Sequence, residues 1–527
     1  MIASKMFPTL MALFLLMITG CTWHTNMPME ADSTSFKEHT GLQISFFLPE
    51  QYQQVKTDTE EIALLFKSTN STLKVFRQEL GEKLSSNSYI EYGNQQLYQG
   101  KAGFSVLENK TRKIRGATIR EIGYKRPQLT ALAKDENYYM EVHLINKKED
   151  NVVTFWGKTD EANYDSLKED LKKVVLSVEK KQAQPGVSNS NITRNSNNTA
   201  NIAVSTEASL VSPHIKYSGK QYELEILPNK LVWGRFFPGA PFNEDCLEKM
   251  LASEKKLEHK FEFMMTYITF PGGGKFPEEA IRRVYEDERV LMLTLQPFTK
   301  ELDWIAVLEI VNGQHDLQIK EWAEGFKKIG EPIFVRPLNE MNGDWDPWCA
   351  WFFGKDTDLY IQAWRHIVDV FREVGADNVL FVWNPHDRSY PDFQWNNAHL
   401  YYPGADYVDW IGLTGYNNGT SHPGDVWREF DEIYKPLYAD YLRHYPDKPF
   451  MITEFSCNEV GGDKAKWIEK AMASLVSNYP NLKIATWFDN RDNAWLYQLD
   501  SSPEAFAAFQ KGLRNHEYLK KAIGKCQ

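Results

Sequence analysis

The chain has 527 residues, which is too long for one compact domain and comfortable for two. Its 60 Lys and Arg stand against 71 Asp and Glu, and a net charge of −11 argues against nucleic-acid binding, which needs a basic surface. Hydrophobic residues make up 42% of the chain, a globular value, and 16 Trp and 25 Tyr supply many rings on which sugar faces can stack.

The first 21 residues have the order of an export signal. Lys5 precedes an apolar stretch over 6–18, which is too short to span a bilayer, and the run closes on Ile-Thr-Gly-Cys at Cys21. These four residues resemble a bacterial lipobox, in which the cysteine becomes the lipidated first residue. We therefore predict a lipoprotein signal peptide over 1–21 and a chain anchored at Cys21 to a bacterial membrane, outside the cytoplasm. A plain signal peptide cut elsewhere is the alternative.

The next part of the chain predicts a tether, a small domain and a linker. Residues 22–37 are polar and unpatterned, and 38–181 predict an α+β domain with a closing helix over 161–179. We expect the acids and lysines of this domain to form a solvated surface, and its role stays open between spacer, wall-binding and partner-binding unit. Residues 182–205, rich in Asn and Ser, predict a flexible linker. The predicted strands of the domain are 42–48, 138–145 and 152–157.

Residues 206–527 predict an α/β domain built as a (β/α)8 TIM barrel. Eight short apolar runs occur, and a helical pattern follows each of them, over about 300 residues. A doubly wound open sheet is the main alternative, but the phosphate-binding Gly pattern that often accompanies it is absent. The predicted strands are 231–237, 261–268, 290–296, 333–340, 379–384, 410–416, 450–455 and 484–489.

Polar and aromatic residues gather where these strands end, which is where barrel enzymes carry their active sites. We predict that Arg336, Asn339 and Trp383 contact a substrate at this rim. The full set after strands four to eight is Arg336, Asn339, Glu340, Trp383, Asn384, His386, Tyr416, Asn417, Glu454, Trp487 and Asp489.

Two glutamates of this set, Glu340 after strand four and Glu454 after strand seven, face one another across a barrel mouth. Such a pair can lie about 5–5.5 Å apart, the separation for retaining cleavage of a glycosidic bond. One glutamate would protonate the leaving oxygen while the other attacks the anomeric carbon, so the two must differ in pKa. The alternative for each is an ordinary strand-end acid in water or in a salt bridge.

The same geometry gives roles to three aromatic residues. Tyr416 would hold the attacking carboxylate, Trp487 would form the floor of the subsite where the sugar ring distorts, and Trp345 would stack on the adjacent ring. Barrel packing is the alternative for each. No metal or organic cofactor is expected, because two carboxylates suffice, and the cysteines after Cys21 match no metal-ligand spacing.

Four segments resemble glycoside hydrolase family 26, whose best-known members are endo-β-1,4-mannanases. The segments are R-P-L-N-E-M-N-G-D-W, W-I-G-L-T-G-Y-N, F-M-I-T-E-F-S and G-G-D-K-A-K-W-I, within 231–500. The resemblance implies that Glu340 is the acid/base and Glu454 the nucleophile. It also implies that Trp345, Tyr416 and Trp487 line sugar subsites.

One position departs from this family, because its mannanases usually have histidine where this chain has Asn339. An amide at this position contacts the sugar 2-OH in the wider clan of retaining barrel glycosidases, and mannose and glucose differ at that hydroxyl. We expect a monomeric retaining endo-β-1,4-mannanase, with a β-1,3-1,4-glucanase or a β-1,3-xylanase as alternatives. A non-catalytic polysaccharide-binding lipoprotein is the alternative from another class.

Overall fold

The computed structural model describes residues 35–180 except 83, 115 and 147–149, residues 214–215 and 224–226, residues 231–515 except 271–273 and 299–304, and residues 523–525. Cys21 and the predicted linker over 182–205 lie outside the described residues. Within the described ranges, no helix is both long enough and apolar enough to cross a membrane.

The N-terminal domain is a seven-stranded antiparallel sheet of order β3-β4-β5-β9-β8-β7-β6, joined by a smaller sheet of order β1-β2-β10. The three predicted strands and the closing helix are confirmed as β2, β8, β9 and α3. The elements are β1 Phe36–Gly41, β2 Ile44–Pro49, β3 Gln53–Val55, β4 Leu64–Lys67, β5 Ser71–Glu79, α1 Ser86–Gly93, α2 Gln95–Tyr98, β6 Ser105–Ile114, β7 Ala117–Lys125, β8 Tyr138–Asn146, β9 Asn151–Thr159, α3 Tyr164–Val175 and β10 Glu179–Lys180.

Helix α3 covers one face of this sheet. Its apolar residues recur at helical spacing, so Leu167, Leu171 and Val174 lie on one side and are buried against Phe155 of β9. Because side chains alternate along a strand, Trp156 and its neighbours project from the opposite face, which packs against the barrel.

The C-terminal domain is a closed barrel of eight parallel strands, as predicted. The short strands β11 His214–Ile215, β12 Leu224–Ile226 and β23 Ile523–Lys525 form a separate small sheet. The barrel strands are β13 Val232–Phe236, β14 Phe263–Phe270, β15 Val290–Pro297, β16 Ile333–Pro337, β17 Val379–Trp383, β18 Trp410–Asn417, β19 Phe450–Cys457 and β20 Leu482–Phe488, with β21 Arg491–Asp492 and β22 Trp495–Leu496 forming a hairpin beyond β20. The helices are α4 Glu244–Leu257, α5 Glu278–Glu286, α6 Ala306–Val311, α7 Asp316–Ile329, α8 Thr357–Val374, α9 Phe430–His444, α10 Lys464–Asn478 and α11 Pro503–Asn515.

The fifth strand departs from the predicted pattern. Between β17 and β18 the chain makes three 3-10 turns in place of an α-helix, so the prediction of a helix after every strand is wrong here. The prolines at 385, 391 and 403 explain the difference, because proline lacks the N–H that an α-helix needs.

The two domains interlock, and the loop between β16 and α8 reaches into the N-terminal sheet. The Gly354 carbonyl accepts hydrogen bonds from the Tyr124 hydroxyl at 2.9 Å and the Trp156 indole at 3.3 Å. The next two residues form buried ion pairs across the interface, Lys355 with Glu141 at 2.6 Å and Asp356 with Lys158 at 2.9 Å. The prediction that the charges of this domain form a solvated surface is therefore wrong for these residues.

Candidate active site

The two glutamates reach the barrel mouth by different local structures. Glu454 lies within β19, whereas Glu340 follows the end of β16 in a sharp turn where Leu338 has φ of 51° and Glu340 has φ of 55°. The left-handed region is rare for residues with side chains, and such strain is often found at functional sites. The Glu340 N–H donates to the carbonyl of Asn384 at 2.7 Å, which fixes this turn to the neighbouring strand end.

Three donors surround the Glu454 carboxylate, which is only 3% exposed. The Tyr267 hydroxyl donates to Oε1 at 2.5 Å, Arg336 donates to the same oxygen and forms an ion pair with it, and the Tyr416 hydroxyl donates to Oε2. Burial and the charge of Glu454 raise the pKa of both tyrosines, which therefore remain protonated donors. These hydrogen bonds hold the Glu454 carboxylate in one orientation.

Glu340 has the opposite environment. Burial, the charge of Glu454 and the charge of Asp346 raise its pKa well above the usual range, and Arg336 and the Trp345 N–H oppose this only in part. Its Oε1 is buried and has no hydrogen-bond partner within the described residues. Such surroundings favour the protonated form of the carboxyl group, which suits a proton donor beside a nucleophile.

Arg336 lies beneath the nucleophile and does not face the mouth. Its side chain is fully buried; Nε donates to Thr294 at 2.9 Å and Nη1 donates to Asn384 at 2.8 Å. The prediction that Arg336 contacts the substrate is wrong. Its side chain has no exposed surface and is bonded to Thr294, Asn384 and Glu454. Arg336 therefore holds the Glu454 carboxylate in position and places a positive charge beneath it.

Trp345 and Asn339 lie beside Glu340, as predicted. The Trp345 ring is 39% exposed and covers Gly343, where a Cβ atom would meet the ring at 2.6 Å. The Asn339 amide oxygen accepts a hydrogen bond from Gln296 at 3.3 Å, and its backbone carbonyl accepts one from the Trp348 indole at 2.5 Å. Asn339 is therefore held rigidly next to the proton donor.

Trp383 and Trp487 do not reach the barrel mouth, and the prediction that they contact the substrate is contradicted. Trp383 is fully buried against Tyr402 and Tyr445, with ring centroids 5.1 and 5.5 Å away. Trp487 is 1% exposed and packs against Phe509 of α11 at 5.0 Å. Each points from its strand towards the helical layer, since neighbouring residues alternate between the two faces of a strand.

Other aromatic residues pack beside Tyr416 inside the barrel. Phe488, next to Trp487, faces into the barrel and stacks on Phe236 at 4.7 Å, and Tyr497 stacks on Tyr416 at 5.1 Å. Tyr267 was missed although it lies near the end of β14, where the rule that located Tyr416 applies equally. Tyr497 follows the β21–β22 hairpin, and nothing in the strand pattern would have revealed it.

One group of potential metal ligands occurs among the described residues, away from the two glutamates. Its members are His399, Asp440 and His444, whose ligand atoms lie within 4.8 Å of one another. His399 already bonds Asp440 at 2.9 Å and Tyr445 at 2.9 Å, and the two imidazole rings are stacked with centroids 3.8 Å apart. Metal ligands bind through the ring plane, so stacked rings with occupied nitrogens indicate a structural cluster.

Comparison with known proteins agrees with this geometry. Residues 306–451 match the model of glycosyl hydrolase family 26. Endoglucanase H of Acetivibrio thermocellus is 36% identical over 272 residues, which cover 50% of this chain and 29% of the relative. A β-1,3-xylanase, TXYA, of a Vibrio species is 30% identical over 28% of this chain and 29% of its own. The mannan endo-1,4-beta-mannosidase A and B of Caldalkalibacillus mannanilyticus is 29% identical over 32% of this chain and 31% of its own.

The matched region is the barrel, and the chain spans about a third of the length of these relatives. The family match begins at α6 and ends within β19, so it includes Glu340 and stops three residues before Glu454. A closed barrel of eight parallel strands, with a glutamate after the fourth and another on the seventh, agrees with the sequence match. Residues 306–451 of the barrel therefore match glycoside hydrolase family 26 in sequence, and the barrel places a glutamate on either side of the mouth.

Proposed function

We propose that this protein is a retaining endo-β-glycanase. The observation that carries the proposal is the unequal surroundings of the two carboxyl groups. The Glu454 carboxylate accepts hydrogen bonds from three donors, whereas burial and neighbouring anions raise the pKa of Glu340. A retaining glycosidase needs one carboxylate to attack and one carboxylic acid to protonate.

The reaction follows from the different surroundings of these two carboxyl groups. Glu340 gives its proton to the glycosidic oxygen as the bond from this oxygen to the anomeric carbon breaks, and a Glu454 oxygen bonds to that carbon. Glu340, now ionised, then takes a proton from water, whose oxygen attacks the anomeric carbon and releases Glu454. Two inversions at one carbon retain the configuration. Tyr267, Tyr416 and Arg336 hold the Glu454 carboxylate in place throughout.

The substrate that we favour is a β-glucan. Asn339 stands where the mannanases of the family usually have histidine, and the relative named an endoglucanase matches about half of this chain at 36% identity. A β-1,4-mannan, the expectation from the sequence, is the second candidate, supported by the relative named a mannosidase. A β-1,3-xylan is the third, supported by the relative named a xylanase.

The test is reducing-sugar release by the full chain on barley β-glucan, galactomannan, glucomannan and β-1,3-xylan, with Glu454→Ala as the inactive control. We expect cleavage of β-glucan, loss of cleavage in the control, and a first product of β-configuration by proton NMR. Cleavage of mannans alone would replace the glucan assignment. A first product of α-configuration would overturn the retaining mechanism.

If none of the four polysaccharides is cut but one is bound, the enzyme proposal fails and a binding protein takes its place. Retardation of the Glu454→Ala variant in gels that contain each polysaccharide separates this outcome from a misfolded preparation. If the Glu454→Ala variant is folded and retarded while the parent protein cuts none of the polysaccharides, the protein is a binder.

We also propose that the chain is a lipid-anchored protein on the outer side of a bacterial membrane. The lipobox-like run that ends at Cys21 supports this proposal. Expression with a labelled fatty acid should label the parent protein and leave Cys21→Ser unlabelled. Equal labelling of both would contradict lipidation at Cys21.

A further inference from the structure

Exposed aromatic side chains are concentrated next to the proton donor. Among the described residues, four aromatic side chains of Phe, Tyr and Trp are exposed: Phe47, Tyr92, Trp345 and Tyr390. Trp345 and Tyr390 have ring centroids 5.5 Å apart, and the Tyr92 hydroxyl donates to Asp344, the neighbour of Trp345, at 2.9 Å. Three of the four rings are therefore joined to one another or to the loop segment that follows Glu340.

Tyr92 belongs to the N-terminal domain, near the end of α1, yet it is fixed to the barrel. Its ring stacks on Trp351 with centroids 4.9 Å apart and an angle of 18° between the planes. The Trp351 indole donates to the Tyr92 carbonyl at 2.8 Å. The stacking, the hydroxyl hydrogen bond and the bond to the backbone carbonyl together hold the Tyr92 ring in one orientation, so its exposed surface is rigid.

The interlocked domains hold this exposed surface at a constant distance from the catalytic residues. The ion pairs of Lys355 with Glu141 and Asp356 with Lys158 are buried, and they join the N-terminal sheet to the loop that also carries Trp345. Buried, hydrogen-bonded charges are strongly resistant to separation, because an unpaired buried charge is costly. Tyr92 therefore belongs to the surface of the barrel mouth although the sequence places it in another domain.

We propose that Tyr92, together with Trp345 and Tyr390, forms a subsite that binds a pyranose unit of the β-linked polysaccharide beyond the units held at Glu340 and Glu454. This inference rests on the proposed function and extends it to the N-terminal domain. The apolar face of a sugar stacks on an aromatic ring, and the Asp344 carboxylate beside Tyr92 accepts hydrogen bonds from sugar hydroxyls.

The test compares long and short substrates in the full-length protein. Tyr92→Ala should lower the ratio of kcat/KM on polysaccharide to kcat/KM on a short aryl glycoside by about 3- to 10-fold, as expected for the loss of one stacking contact. Tyr92→Phe should keep most of this ratio, because the ring remains. Phe47→Ala is the matched control, since it removes an exposed ring of the same domain from a strand, β2, that is paired within its own sheet.

Equal ratios for the parent, Tyr92→Ala and Phe47→Ala would overturn the subsite. A loss of similar size on both substrates with Tyr92→Ala would also overturn it, because it would indicate a structural role for Tyr92. Polysaccharide affinity in a Glu454→Ala background separates this inference from the proposed function. Weaker retardation of the Tyr92→Ala double variant in a polysaccharide gel supports the subsite even if the parent cuts nothing, and unchanged retardation overturns it.

Discussion

Glu340 in the barrel mouth and Glu141 at the domain interface are both buried carboxyl groups, yet their pKa values shift in opposite directions. In the barrel mouth, burial and nearby anions raise the pKa of Glu340. At the domain interface, burial acts in the same direction on Glu141, but the charges of Lys355 and His143 outweigh it and lower the pKa to about 2. Glu141 has a cation at 2.6 Å, whereas the largest charge effects on Glu340 come from the carboxylates of Glu454 and Asp346. The charges around a buried acid, and not its burial alone, decide the direction in which its pKa shifts.

Removal of the raised-pKa acid should have the largest effect. We expect Glu340→Ala to lower kcat about 10³-fold on polysaccharide, within the range for general acid catalysis. The loss in kcat/KM, which reports formation of the glycosyl-enzyme, should be much smaller on an aryl glycoside with a dinitrophenyl leaving group, which departs without protonation. Rates on both substrates check this, and equal losses on both would contradict the role of Glu340 as the acid.

The pH profile of the same pair of proteins gives the sign of the pKa shift. Glu340 acts in its protonated form, so the parent activity on polysaccharide should fall as pH rises through the raised pKa of this group. Glu340→Ala should lack this basic limb when bond formation to Glu454 is measured on the activated substrate. A limb that persists in the variant would have to come from another group.

The sequence predicted the strand ends well and the facing of single side chains poorly. Glu340, Glu454 and Tyr416 were located because the ends of barrel strands meet at one rim, a property of the whole fold. Trp383 and Trp487 were assigned wrongly because each is an aromatic residue near the end of its strand. Whether that residue points inward or outward depends on the strand register, and a shift of one residue exchanges the faces.

The domain interface could not be predicted from the sequence. Glu141 and Lys158 alternate with apolar residues on β8 and β9, which is the pattern of a sheet with one face in water. Their partners, Lys355 and Asp356, lie about 200 residues further along the chain. Only the three-dimensional docking of the two domains shows that the polar face of the sheet is buried.

The interface pair gives the next prediction. Lys355→Met removes the cation that compensates Glu141, and an unpaired buried charge costs about 3–5 kcal/mol. We expect a loss of this order in the free energy of unfolding, measured in urea. The double variant Glu141→Gln, Lys355→Met should recover much of it, because no charge is then left unpaired. A double variant as unstable as Lys355→Met alone would show that packing, and not charge, was lost.

A further prediction concerns the stability in acid that the Glu141–Lys355 ion pair contributes. A carboxyl group with a folded pKa of about 2 and an ordinary pKa when unfolded contributes stability that is full above pH of about 4.5 and is lost as pH falls towards 2. We expect about 3 kcal/mol of the parent stability to disappear over this interval, by urea unfolding at each pH. Glu141→Gln should be less stable at neutral pH and should show a flatter profile. Glu79→Gln is the control, since the Glu79 side chain is 57% exposed on the same sheet.

The smallest effect is expected for an ion pair that joins the two domains but is exposed to water. Arg443 of α9 pairs with Glu61 of the N-terminal domain at 2.8 Å, but their side chains are 50% and 52% exposed. Exposed ion pairs contribute about 0–1 kcal/mol, because water and salt screen them. Arg443→Ala should therefore change the free energy of unfolding by less than 1 kcal/mol, and 0.5 M salt should remove even that difference. If this variant were as damaging as Lys355→Met, burial would not be what distinguishes the interface pairs, and docking would depend on charge attraction at the rim.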